Sequence, residues 1–215
     1  MLHIEALDVS IQTVGILRGV NLDVPSGKFV GVIGRNGAGK TTLMRSIMGI
    51  LPARRGSIAF DGKPLGTTPA HVRARSGIGY MPEDRRLVPS LSVEENVLIP
   101  AWSAGVADLN SRLAEVYAMI PEVREFSTRK GLQLSGGQQK LVALARALMC
   151  GDKLLLLDEP FEGVAPVLAK RLAEVITGLK KKGLSVILTE SDLAHSGEML
   201  DAVYTIDRGQ VTTAA

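Results

Sequence analysis

The stretch Lys28–Thr42, KFVGVIGRNGAGKTT, decides the reading of this chain. A short apolar run stops at a glycine-rich loop, and "TTLMRSIMGIL" after it has helical patterning that ends at Gly49 and Pro52. Gly34-Arg35-Asn36-Gly37-Ala38-Gly39-Lys40-Thr41 fits G-x-x-x-x-G-K-[ST] in full, with a strand expected before it and a helix after. The glycines let backbone N–H groups curl around a phosphate, and the helix N-terminus adds its partial positive charge. Lys40 is placed to reach β- and γ-phosphates, and the Thr41 hydroxyl to ligate Mg²⁺. Thr42 follows in the first turn. A glycine-rich turn matching by chance would not come with both flanking elements in place.

The rest of the chain suits such a loop. At 215 residues it can bury a sizeable core without disulfides or metals. It is 46% hydrophobic but only 4% aromatic, so the core is expected to be Leu, Val, Ile and Ala. The net charge is +3, and the one basic run, Lys180–Lys182 before Gly183, reads as a helix C-terminus with a glycine cap rather than a nucleic-acid patch. Cys150 is alone, which excludes an internal disulfide framework and favours a reducing compartment. The opening MLHIEALDVS is acidic and alternating, unlike a signal peptide, and no window reaches the roughly 18 apolar residues of a membrane span.

Strands are expected at "HIEALDVS", "VNLDV", "KFVGVI" and "SGIGYM", and as a pair in "GSIAFDGKPL" turning at Asp61-Gly62. From about Val93 to Met149 the patterns are helical, with breaks at Pro100, Gly105, Pro121 and Gly131. "KLLLLDEP" and "SVILTE" read as strands buried on both faces of a parallel sheet, separated by the amphipathic helix "APVLAKRLAEVITGLKKKG". "AVYTIDRGQVTT" reads as a hairpin around Arg208-Gly209. Alternating strands and helices with a helical insertion predict an α/β fold with a mainly parallel sheet.

Two further motifs carry chemistry. Leu154–Glu159 places Asp158 and Glu159 where a buried strand emerges, the end of a parallel sheet at which ligands sit. Asp158 is expected to face the same Mg²⁺ as Thr41, and Glu159 to orient or deprotonate an attacking water; alone, the pair would read as a cap before Pro160. Leu134-Ser135-Gly136-Gly137-Gln138-Gln139 precedes the helix "KLVALARALM". Ser135 can cap that helix, and the two glycines bare its N-terminus as a second phosphate surface. One nucleotide does not need two such surfaces in one subunit, so each subunit would offer one to a partner.

In this order, "GRNGAGKTT", "LSGGQQ" and "LLLLDEP" resemble the ATP-binding cassette ATPases of transporters over essentially the whole chain. The resemblance implies one cassette domain of the P-loop NTPase type spanning residues 1–215. It would have a mainly parallel core, an antiparallel β-subdomain within about 1–30 and 56–66, and an α-helical subdomain at about 88–148. It also implies ATP hydrolysis with Mg²⁺ and a head-to-tail dimer, either a homodimer or a heterodimer with a sister ATPase. Ser135, Gly136, Gly137 and Gln138 would then meet ATP held by the other subunit. "GYMPEDRRLVPSLSVEENV" and "DEPFEGVAP" are similar to the branched-chain amino-acid importer ATPases. That subfamily implies membrane permease subunits, a solute-binding protein, and peripheral attachment at the cytoplasmic face of a bacterial-type inner membrane, with no nucleic-acid partner. Glu83 falls at the family's lid-loop glutamine, a position that touches the metal or attacking water. Glu162–Pro166 would form the loop crossing the dimer interface. Importers for urea, amides or other small solutes share much of the pattern. A non-transport cassette is disfavoured by the absence of coiled-coil heptads and of a second cassette, and a GTPase by the absence of N-K-x-D.

Two positions depart from the family. The residue expected to cover adenine falls at Ile11 or next to it, with no aromatic nearby, which predicts weaker stacking on the base. After "VILTE" the family usually carries a histidine on the γ-phosphate, and this chain has Ser191, which can donate one hydrogen bond but carries no charge. Ser191 is either a plain cap or a γ-phosphate contact. His195, one turn on if a helix starts there, is a possible substitute. His3 and His71 read as surface residues. With both positions off pattern, a subunit that binds ATP but hydrolyses it poorly is a further alternative.

Overall fold

The structure, a computed structural model, describes residues 1–213. In chain order, β1 (Leu2–Ile11) and β2 (Val14–Val24) form a hairpin, and β3 (Phe29–Ile33) leads through the glycine loop into α1 (Lys40–Ile47). Then come β4 (Arg55–Phe60), β5 (Lys63–Pro64), α2 (Ala70–Arg75) and β6 (Ile78–Met81). The helical stretch holds α3 (Val93–Ala104), α4 (Leu109–Met119), α5 (Pro121–Glu125) and α6 (Gly136–Leu148). Finally β7 (Leu154–Asp158), α7 (Pro166–Lys180), β8 (Ser185–Glu190), β9 (Ala202–Asp207) and β10 (Gln210–Thr213) complete it.

Two sheets organise these elements. One is antiparallel, in the order β2-β1-β4-β5. The other runs β10-β9-β3-β8-β7-β6 and is parallel except for the edge strand β10. The chain is thus an α/β fold with a mainly parallel core. Every residue of β7 and β8 is buried, because both faces of this sheet are covered. Successive side chains divide between two cores. Phe29, Leu155, Leu157, Val186 and Leu188 pack toward the helical stretch and α7, whereas Val30, Val32, Leu154, Leu156 and Ile187 pack toward α1 and the antiparallel sheet.

Local chemistry sets the ends of the elements. Ser92 begins α3 with a reciprocal capping box to Glu95. Gly183, at φ 75°, ends the turn after α7, and Lys180 pairs with Asp201 at 2.8 Å above the Phe29 ring. Asp61-Gly62 and Arg208-Gly209 are tight turns with positive φ at both residues, as hairpins with a right-handed twist require.

Two expectations need correction. Pro100 does not break the helix: α3 runs through it to Ala104 and ends at Gly105, because Val93, Val97 and Ala101 pack its flanks into the core and outweigh the lost N–H bond. The alternation expected in "HIEALDVS" also slips. Ile4 and Leu7 are both buried, and a bulge at Glu5-Ala6 keeps them on one face, its Ala6 N–H donating to Asn21 Oδ1 at 2.9 Å.

Gly209 ties the terminal hairpin to the glycine loop. Its N–H donates to Ala38 O at 2.9 Å and its carbonyl accepts from the Arg18 N–H at 2.8 Å. Its φ is 80°, and a Cβ would lie 1.8 Å from the Ile16 carbonyl oxygen. Gly209→Ala is therefore expected to lower stability by about 2 kcal/mol or more. An unchanged denaturant midpoint would refute this.

Candidate active site

The register of the parallel sheet assembles the site. β8 lies between β3 and β7, with Ile33 beside Glu190 and Asp158 beside Thr189. The carboxyl ends of three strands, and the loops that leave them, therefore meet at one edge. Gly34 is held there by its N–H to Glu190 O at 3.0 Å. A Cβ on Gly34 would lie 2.2 Å from Ile206 O, and Gly37 and Gly39 take φ of 80° and 116°, so these three positions need glycine. Gly39 is also the uncapped N-cap of α1, which leaves the first N–H groups of that helix without a side-chain partner.

Lys40 is 4% exposed and folds back into this cradle. Its ammonium donates to the carbonyls of Gly34 and Arg35 and pairs with Glu159 Oε1 at 3.0 Å. Ser191 Oγ lies 3.5 Å from the same ammonium and donates to Asn36 Oδ1 at 3.1 Å. Ser191 is thus brought to the phosphate cradle, although it is solvent-exposed.

Asp158 is fully buried and collects three hydroxyls: Thr189 at 2.8 Å, Thr41 at 3.3 Å and Tyr80 at 3.3 Å. Burial pushes its carboxyl up, and these hydrogen bonds oppose the rise. Burial, then the Asp158 charge, pushes the Tyr80 phenol up as well. Thr41 and Asp158 together offer hard oxygen donors facing each other, the donor chemistry that Mg²⁺ takes. The residues present therefore fit that ion. Glu83, Glu159 and Glu162 bring carboxylate oxygens within 4.8 Å of one another beside them. Burial and the Glu159 charge both push the Glu162 carboxyl up.

Glu159 itself has φ 47°, a left-handed conformation that costs a non-glycine residue about 1–3 kcal/mol. Its N–H donates to Thr189 at 3.1 Å, both to the carbonyl and to the hydroxyl, and its carbonyl accepts from Lys140 at 2.6 Å. No motif assigned a role to Thr189, Tyr80 or Lys140, although Tyr80 lies within "GYMPEDRR" and Thr189 within "VILTE". The one available signal was a polar side chain at each of these positions within an apolar strand or helix.

A cavity of about 410 Å³ opens over these groups, lined by Asn36, Gly37, Gly39, Lys40, Thr41, Thr42, Glu83 and Glu159, with Ile16 as its aliphatic wall. Ile11 is not in that wall: it ends β1 at the hairpin turn, paired with Val14, and is 42% exposed. The side chain beside the phosphate cradle is Ile16, five residues on, because β2 returns toward the loop. His195 is also not one helical turn above Ser191. Residues 191–196 form turns rather than an α-helix, and the imidazole packs against the Phe161 ring at 5.7 Å. Ser135 caps α6 through a capping box with Gln138, at 3.3 and 3.0 Å. None of Ser135, Gly136, Gly137 and Gln138 lines the cavity of its own chain.

Comparison with known proteins agrees with this geometry. A family model described as ABC transporter matches residues 17–162. The chain is 33% identical over 211 residues to the high-affinity branched-chain amino acid transport ATP-binding protein BraG of Pseudomonas aeruginosa, covering 98% of this chain and 91% of that one. It is also 33% identical over 198 residues to the lipopolysaccharide export system ATP-binding protein LptB of Escherichia coli K12, covering 91% and 82%. Among solved structures, a nucleotide-free ATP-binding cassette from an ABC transporter superposes with a TM-score of 0.86 at 28% identity, covering 99% of this chain and 90% of that one.

Behind the site, Glu190 is 9% exposed and accepts the Phe161 N–H at 3.0 Å. Burial pushes its carboxyl up from 4.5 to about 7. Between those values the folded chain binds more protons than the unfolded one, so this group makes stability fall as pH rises through the window. Glu190→Gln keeps an acceptor for Phe161 and removes the titration. Its stability relative to wild type is expected to rise between pH 5 and pH 8, by the order of 2–3 kcal/mol. The same stability difference at both pH values would count against this.

Proposed function

The chain belongs to the ABC transporter family and is an ATP-hydrolysing enzyme; from that premise we propose that it powers an importer for branched-chain or related amino acids. The observation that carries the hydrolytic reading is the buried Lys40–Glu159 pair beside Thr41 and Asp158. Phosphate oxygens entering the cradle would give the Lys40 ammonium a second anionic partner. Glu159 is then free to take the proton of an attacking water, and Glu83 lies close enough to help orient it. Ser191 and Asn36 sit where the γ-phosphate would end. Thr41 and Asp158 would hold Mg²⁺, whose charge offsets the negative charge on the phosphates when it is bound. Ile16, with Ile11 further out on the same hairpin, would cover the base without aromatic stacking.

ABC ATPase cassettes work as dimers with membrane permease subunits. In this reading, Ser135, Gly136, Gly137 and Gln138 of one subunit contact the ATP of the other, and Glu162–Pro166 crosses between them. Among the described residues no helix is long and apolar enough to cross a membrane. In this reading the permease supplies the pathway and the cassette sits at its cytoplasmic face, with a solute-binding protein as the third component. The near full-length likeness to BraG, together with "GYMPEDRR" and "DEPFEGVAP", supports import of amino acids. The likeness to LptB supports the alternative of an exporter.

Glu159→Gln is expected to lower ATP turnover at least about 100-fold while ATP still binds, and Lys40→Ala to lose ATP binding. Turnover of Glu159→Gln at the wild-type rate would overturn the hydrolytic reading. Ser191→Ala should lower kcat/KM for ATP by about 10-fold, the loss of one hydrogen bond to a charged group; an unchanged value would make Ser191 a plain loop residue. Isolation of the membrane complex through this subunit separates import from export. A co-purifying permease with a solute-binding protein is the expected result, and an export assembly without one would refute the importer.

A further inference from the structure

Lys140 is the fifth residue of α6, one turn inside the helix whose N-terminus carries Ser135, Gly136 and Gly137. It is 2% exposed. Its neighbours Leu141–Ala145 are all buried in an apolar core. Packing alone would place Leu or Met here, since an amine in such surroundings costs free energy unless it is partnered. Among the described residues no carboxylate lies within 4.0 Å of this ammonium, and its hydrogen bond runs to the carbonyl oxygen of Glu159, at 2.6 Å. Glu83, Glu162 and Glu190 surround it at longer range, and Arg85 opposes them, while burial pushes the ammonium down from its ordinary value.

The accepting carbonyl belongs to a peptide in an uncommon conformation. Glu159 stands at φ 47°, with its N–H held by Thr189 on one side and its carbonyl by Lys140 on the other. The two bonds fix the peptide planes on either side of the Glu159 Cα, from which its side chain leaves the end of β7 toward Lys40. We propose that Lys140 is a positioning residue for hydrolysis, holding the Glu159 backbone so that its carboxylate faces the phosphate cradle and tying that carboxylate to the helix that begins at Ser135. This rests on Glu159 being the base. Removing the donor leaves Lys40, Thr41 and the glycine loop intact, so ATP should still bind; what is lost is the aim of the carboxylate.

The test is steady-state ATP turnover and fluorescent-ATP affinity of the full chain. Lys140→Met is expected to lower kcat about 10- to 100-fold, the cost of a misplaced reacting group, with KM and nucleotide affinity within about 3-fold of wild type. Lys140→Arg or Lys140→Gln, which restore a donor, should recover a large part of kcat. Lys140→Leu replaces the methionine variant if that one does not fold. Glu159→Gln runs alongside: if it turns over normally, the base assignment falls and this inference with it. If Glu159→Gln is inactive but the apolar Lys140 variant matches wild type, the inference alone is wrong. It is also wrong if the apolar and donor variants lose kcat, affinity and melting temperature together, which would mark Lys140 as merely structural.

Discussion

A buried cation needs an anion, and in this protein that requirement is met by joining two elements far apart in sequence. Lys40 and Glu159 have side chains 3% and 6% exposed, and they pair at 3.0 Å. Neither charge is sustainable there alone, since an unpaired buried charge costs several kcal/mol. The pair therefore holds the N-terminus of α1 against the end of β7. It is also exchangeable, because both groups open onto a cavity of about 410 Å³. In the proposed reaction a phosphate takes the ammonium and leaves the carboxylate to act as base, so one interaction would serve stability before substrate arrives and chemistry afterwards.

The pair can form only because of strand order. Were β7 beside β3, Asp158 would crowd the glycine loop; instead β8 intervenes and contributes Thr189, which binds both Asp158 and the Glu159 N–H. Thr189 is thus the link between the two acids, fixing one as an oxygen donor beside Thr41 and the other as a carboxylate facing Lys40. The left-handed turn at Glu159 follows from the same geometry. An extended residue there would turn its side chain to the face of the sheet opposite Asp158, and the bonds to Thr189 and from Lys140 sustain the turn against its intrinsic cost.

What the sequence made legible divides along the same physical line. Groups whose backbone chemistry demands a residue type were readable: Gly34 and Gly39 by close approach and positive φ, Ser135 by capping, Asp158 by its place after four leucines. Groups that act through tertiary register were not. Tyr80 and Thr189 reach Asp158 only because β6 and β8 flank β7, and Lys140 looks from sequence like a surface position on an amphipathic helix. Ile16 rather than Ile11 walls the cavity because strand return, not distance along the hairpin, decides proximity. Pro100 and the bulge at Glu5-Ala6 show the complementary failure, where tertiary packing overrides a local signal.

The separation of the two phosphate surfaces follows from the same architecture. Ser135, Gly136 and Gly137 sit at the start of α6, whose side chains fill the core on the face of the sheet away from α1. Moving them to their own cavity would require α6 to leave that core. A helix that buries Leu141, Val142, Leu144 and Leu148 stays where it is, because each such side chain contributes roughly 1.5–3 kcal/mol. In the proposed dimer the N-terminus of α6 meets the phosphate that the other subunit brings. A short route from that N-terminus back to the chain's own carboxylate runs one helical turn, through Lys140, to Glu159. The same helix would present one end to the other subunit of the proposed dimer and, with the next turn, hold the Glu159 backbone of its own site.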